Sequence, residues 1–252
     1  MIDGAFLLKR LHSFQPDLKP ADLHGFTAAD LSIAEQQGKN IARLIQDYTV
    51  KHCWQKTGKK DDEDQSIWEN VDLYRIFFYD CPPLEKRMHF PISGGNINFA
   101  ETPAAKFRKM LHNELRRKRK FALRLGHLME DSVFWRLKGN FKERVQREIV
   151  NAVRTNTACQ LSDESFELDI KQKGVDMRLG IDIASLAYKK LVSQIILIAG
   201  DSDFVPAAKL ARREGIDVIV DSLGLHIRES LLEHIDGHWS HWHSLRPPEP
   251  AA

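Results

Sequence analysis

The sequence predicts an α/β fold built on a mainly parallel sheet, and three observations predict it. The last third of the chain alternates cleanly between strand 194–199, helix 204–214, strand 216–220 and helix 226–236. Strands separated by helices join in parallel through right-handed crossovers. Within that region a buried strand runs straight into two carboxylates, Asp201 and Asp203, and then into a helix start. Ligands of open α/β sheets bind in the crevice outside the carboxyl ends of the strands, where this pair falls. Finally, 252 residues of which 42% are hydrophobic supply a real core, for one large domain or two small ones, and exclude wholesale disorder.

Taken in order, MIDGAFLLKR reads as a minimal strand ending at Asp3, a Gly that frees the backbone, and an apolar helical turn. Only two residues precede Asp3, so this strand is either unusually short or preceded by residues outside this sequence. Ala28–Val50 carries Leu31, Ile33, Ala34, Ile41, Leu44 and Ile45 among polar residues and reads as one helix. KTGKKDDEDQ follows as a solvated loop, and Leu73–Tyr79 as a buried strand closed by Asp80 and the Pro82–Pro83 breaker. Asp80 reads as a turn acid that could border the site. Residues 84–104 read as a loop able to cover a cleft, Ala105–Lys120 as a basic helix, FALRLGHLM as a strand and 131–164 as partly helical. Phe166–Lys171 reads as a strand broken by Gly174, after which Asp176 opens a helix with Leu179, Ile183 and Leu186 on one stripe. The expected organisation is a single domain over 1–245, with a basic helical segment near 105–155 and a disordered tail at 246–252.

Three strand-to-helix turns therefore deliver an Asp: Asp3, Asp176 and the Asp201/Asp203 pair. Each alone has a plain explanation as a helix cap or turn residue. Carboxylates gathered at strand ends without compensating cations hold a divalent metal, and their oxygens favour Mg2+ or Mn2+ over zinc. Crowded together, they raise one another's pKa until a metal arrives. Ser202, between two acids, is either a contact for phosphate or metal-bound water or a helix-start hydroxyl.

IDG near the start, KGVD before an amphipathic helix and GDSDF before a helix and a hydrophobic strand resemble the NYN domain, in its LabA-like branch, of the PIN-like nuclease superfamily. The resemblance is densest over Gln172–Ser222 and returns at residues 2–10 and 73–83. It implies a doubly wound, mainly parallel α/β sheet flanked by helices, and a metal-dependent endonuclease, RNA preferred over DNA. Asp3, Asp176, Asp201 and Asp203 match the family's catalytic and metal-binding acids. Asp182 matches a further acidic position, but it lies about 600° of helical rotation from Asp176 and reads as a supporting residue. Many relatives read Asp-Gly-x-Asn where this chain has Asp3, Gly4, Ala5 and Phe6; an Asn could orient a water or bind phosphate, and Phe cannot. The alternative reading is a catalytically weak or inactive module that binds nucleic acid or protein.

Formal charge is only +2, so nucleic-acid contact must come from local charge. Arg116, Arg117, Lys118, Arg119 and Lys120 form the densest basic run, suited to phosphate backbone, and Lys173 beside Asp176 is a further candidate. Phe107, Phe121 and Trp135 read as core before base-stacking residues. The four histidines of His234–His243 lack an HExxH glutamate and read as a helix end packed on the body. Cys53, Cys81 and Cys159 are widely spaced and fit reduced thiols in a cytoplasmic protein; no leader or membrane span is read. A dehalogenase-type phosphatase would need an Asp where Ala5 stands, and a dinucleotide enzyme a glycine-rich first turn. A protein partner or homo-oligomer is left open.

Overall fold

The computed structural model describes residues 1–61, 63–139, 142–157 and 161–246, with the side chains of 56–58, 142–144 and 202 left out. At its centre is a six-stranded parallel sheet of order β14-β13-β12-β1-β4-β7, namely Gly237–His238, Asp217–Asp221, Gln194–Ile198, Ile2–Asp3, Ile76–Asp80 and Phe121–Leu125. The chain builds outward from β1 to β4 and β7, then returns to the other side of β1 and builds outward again. The reversal between β12 and β1 is the switch point of a doubly wound sheet.

Alternating side chains sort the strands' residues onto two faces. Ile2, Ile76, Phe78 and Ile198 pack beneath α1 (Gly4–Phe14), α2 (Ala28–Lys51) and α3 (Pro103–Arg117). Phe77, Tyr79, Ile195, Leu197, Val218 and Val220 pack beneath α5 (Val175–Tyr188), α6 (Val205–Arg213) and the short α7 (Glu229–Leu232). Both faces of β4 are covered, which is why IFFYD is buried throughout. The fold is the expected one: PIN-like, doubly wound and parallel.

Several elements depart from the sequence reading. KTGKKDDEDQ is not all loop: β2 (Trp54–Lys60) and β3 (Ser66–Asn70) form an antiparallel hairpin, and β3 is exposed along its whole length. No hydrophobic face alternates there, so period-two patterning had nothing to detect. Residues 84–104 hold a second hairpin, β5 (Arg87–His89) with β6 (Asn96–Asn98), and α3 begins at Pro103. Phe166–Lys171 does not enter the central sheet. β10 (Phe166–Asp169) pairs antiparallel with β9 (Phe134–Leu137), and β11 (Gln172–Lys173) with β8 (His127–Leu128). These hairpins rest on a small third cluster of Leu84, Ile97, Phe99 and Val133, against which Trp135 packs. Residues 131–164 include α4 (Lys142–Thr155). Helix 226–236 shrinks to one turn because Asp236 turns back to the sheet, exchanging its backbone N–H with the Val218 carbonyl and accepting the Val218 N–H at 2.9 Å. The expected disorder of the tail falls on 247–252, outside the described residues.

One buried polar network ties the C-terminal region to α2. Asp221, with no exposure, accepts hydrogen bonds from Tyr48 and, at 2.9 Å, pairs with Nε2 of His52. Burial pushes its carboxyl up, but the bonds from His52, Ser240 and Tyr48 outweigh that and hold it below the ordinary range. A depressed acid contributes stability that is present above its unfolded pKa and lost as pH falls toward the folded value. Asp221→Ala is expected to cost about 3–5 kcal/mol at pH 7, since it leaves His52 and Tyr48 without their acceptor. Thermal melts from pH 7 down to pH 3 check this: the gap between wild type and variant should narrow below about pH 4.

Candidate metal centre at the carboxyl edge

Asp3 ends β1 and caps α1: its Oδ1 accepts the Phe6 N–H at 3.1 Å. The capping explanation thus holds for Asp3 and does not remove it from the rim, because Asp176 and Asp80 are near enough to act on its charge. Burial is the main cause that raises its pKa, and Asp176 and Asp80 add to it against the backbone bond from Phe6.

Asp176 arrives by a different route from the one expected. It follows β11, at the periphery, and Gly174 in the left-handed region (φ 81) turns the chain into α5. Because β11 pairs with β8 just beyond the end of β7, α5 starts at the carboxyl edge of the sheet. Asp176 is exposed, and its carboxyl is raised by burial first and then by the charges of Asp201 and Asp203. Asp201 and Asp203 follow β12, both exposed, and Oδ1 of Asp201 accepts the Asp203 N–H at 3.2 Å. Asp203 does not cap α6, whose first residue position carries no side-chain cap bond.

The four acids thus act on one another across the switch point, Asp3 through Asp176 and Asp176 through the Asp201/Asp203 pair. Among the described residues none of the four has a lysine or arginine partner, whereas acids around them do. Asp80 is fully buried against Arg108 and, at 2.8 Å, Nε2 of His112. Asp182 accepts from the Tyr79 hydroxyl and Arg124 Nε, each at 2.9 Å. Oxygen donors lacking a cation suit a hard divalent ion, but among the described residues no three acids stand close enough to form a preassembled ligand group.

Phe6 is half-buried, and its ring fills the space over Gly200, where a Cβ would run into Phe6 Cε2. The Asn-to-Phe departure is therefore a packing feature of the loop that carries Asp201. The pairing of Arg108 and His112 with Asp80 escaped the sequence reading, in which Arg108 counts only among the basic residues of this segment, although their i, i+4 spacing on α3 is the signal that could have found it. The Ser202 side chain lies outside the described residues.

Lys173 is exposed at the same edge as the acids. The basic run is not. α3 ends at Arg117, and Lys118–Lys120 lead into the start of β7, with Lys120 bonded through its carbonyl to the Ile76 N–H at the start of β4. Arg116–Lys120 therefore occupies the amino edge, about 17 Å away along five-residue strands. Phe107 is core, and Phe121 and Trp135 pack against core clusters. The C-terminal histidines split up: His238 bonds Ser222 at 3.0 Å and His241 lies against His52 and Trp239. Among the described residues no helix is long and apolar enough to cross a membrane.

Two substitutions test this geometry. Asn caps a helix as well as Asp does, so Asp3→Asn should keep α1 intact and raise the melting temperature of the metal-free protein at neutral pH, where an acid with a raised folded pKa is destabilising. Asp3→Ala should instead lose about 1 kcal/mol of cap; paired thermal melts in chelator distinguish them. Gly200→Ala should destabilise by about 1–3 kcal/mol through the clash with Phe6, and a Phe6→Leu background should recover part of that in denaturant titrations.

A family model described as the NYN domain matches residues 100–236, a span that includes Asp176, Asp201 and Asp203 but not Asp3. No curated protein and no solved structure matches the chain.

Proposed function

The chain belongs to the NYN domain family, within the PIN-like nuclease superfamily, and from that premise we propose that it is a metal-dependent endoribonuclease of the LabA-like branch. The observation that carries this reading is the contrast in charge pairing at the carboxyl edge. Neighbouring acids Asp80 and Asp182 are neutralised by Arg108 and Arg124, while Asp3, Asp176, Asp201 and Asp203 are left without a cation among the described residues. Such a set costs the metal-free fold, and that cost makes sense where an ion completes it.

In this reading Asp3, Asp176, Asp201 and Asp203 hold Mg2+ or Mn2+. Bound there, the ion supplies water activation and neutralisation of charge at the scissile phosphate. The chain's own contribution is positional. The cap bond to the Phe6 N–H fixes Asp3, and the Asp203 N–H orients Asp201. Asp182, held by Tyr79 and Arg124, braces α5 behind Asp176. Lys173, exposed on the same edge, is placed to meet substrate phosphate, and Ser202 is the remaining polar candidate between the two acids. A cytoplasmic location fits the buried free thiols of Cys53 and Cys81.

A second reading is a nucleic-acid or protein-binding module with weak or no turnover. Phe6 favours it, since its ring stands beside the acids where an Asn would offer a polar group. Cleavage of single-stranded and structured RNA, with single-stranded DNA alongside, separates the two. Asp176→Asn and Asp201→Asn are each expected to lower turnover by at least 100-fold with folding intact, and excess chelator to abolish it. Full activity in chelator, or in both variants, would reject the nuclease mechanism.

A further inference from the structure

The amino edge of the sheet carries features that the acid rim does not use. A cavity of about 370 Å³ opens there, lined by Ile2, Ile76, Phe77 and Ile195 on its apolar side and by His52, Tyr74 and Arg75 among others. That volume lies in the range of small-ligand pockets, and flat apolar walls with a few polar groups suit an aromatic base. His52 is buried with its Nε2 on Asp221, and its Nδ1 has no hydrogen-bond partner. One half-exposed aromatic ring, Tyr74 at 45%, lines the opening between Leu73 and Arg75.

Basic charge converges on the same place. Lys120 bonds the Leu73 carbonyl, and its ammonium acts on Cys53 next to Trp54. Arg75, Arg116, Arg117 and Arg119 are exposed around it, and of these Arg117 alone forms a described ion pair, at 3.6 Å with Glu114. Asp72 is the acid that lines the cavity. Rings for stacking beside a basic track are the combination by which proteins hold single-stranded nucleic acid without reading its sequence.

We propose that this amino edge is a second nucleic-acid site, which holds a single strand without cutting it: one base enters the cavity against Tyr74, and Arg75 and Arg116–Lys120 take the flanking phosphates. The ligand class rests on the nucleic-acid reading above, but the site needs neither the acids nor a metal. The acids stand at the opposite, carboxyl ends of the same strands, so substituting them separates binding here from binding at the rim.

The test is fluorescence anisotropy of a labelled ten-nucleotide oligouridine on the full chain in excess chelator, across 50–200 mM salt. Tyr74→Ala is expected to weaken binding about 5- to 100-fold. Arg75, Arg116, Arg117 and Arg119 changed together to Gln should flatten the log–log salt dependence by up to about 0.7 per lost phosphate contact. Asp3→Asn with Asp201→Asn should leave affinity and slope as in wild type. That pattern supports the site even if no cleavage is ever seen, so its fate is separable from that of the nuclease reading. Unchanged affinity and slope in both surface variants, with each shown folded by circular dichroism, would overturn it and assign the edge to a partner of another kind. Loss of binding in the acid-edge variant alone would overturn it as well.

Discussion

The architecture depends on the pairing of β1, a strand of two residues at the middle of a six-stranded sheet. Ile2 stands opposite Ile198 on one side and Phe78 on the other, Asp3 opposite Tyr79, and Met1 bonds Ile196 and Ile198, so three residues join the half built from β4 and β7 to the half built from β12, β13 and β14. Ladder bonds this few hold only because both faces are buried, with Ile2 itself 1% exposed under the α1–α2–α3 layer. The same pairing decides the chemistry. Whatever residue ends β1 must emerge at the reversal of strand order, beside the turn that follows β12, and that residue is Asp3.

From this follows a division of charge along the strand direction. Acids collect where parallel strands end, because strand-to-helix turns favour Asp as cap and first-turn residue and helix N-termini favour negative charge. Bases collect where helices end and strands begin, as in Arg116–Lys120. The rim acids and the Arg116–Lys120 run thus stand at opposite edges of a near-neutral chain, a separation that net charge conceals.

Legibility in the sequence followed the strength of local patterning. β4, β12, β13 and α6 are apolar runs or alternations with clear breakers, and their positions were readable to within a residue or two at most ends. The Asp residues at the rim were readable because each sits at a punctuated turn. What escaped depends on contacts between distant segments. The strand ahead of Asp176 was assigned to the central sheet because nothing local separates a peripheral strand from a central one. The hairpin β2–β3 escaped because its faces are both wet. The place of Arg116–Lys120 relative to the acids required the topology, since helix direction decides which end of the sheet a helix terminus reaches. The burial of Asp80 required Arg108 and His112, which arrive from another layer.

The cap bond of Asp3 also limits how that carboxylate can meet a cation. Its Oδ1 is engaged by the Phe6 N–H. Swinging the carboxylate away would unfasten the first turn of α1, the helix that carries Leu7, Leu8 and Leu11 into the core. An ion bound at this rim would therefore meet Asp3 in an orientation set by helix initiation, and would rely on the exposed acids across the rim for its other protein oxygens.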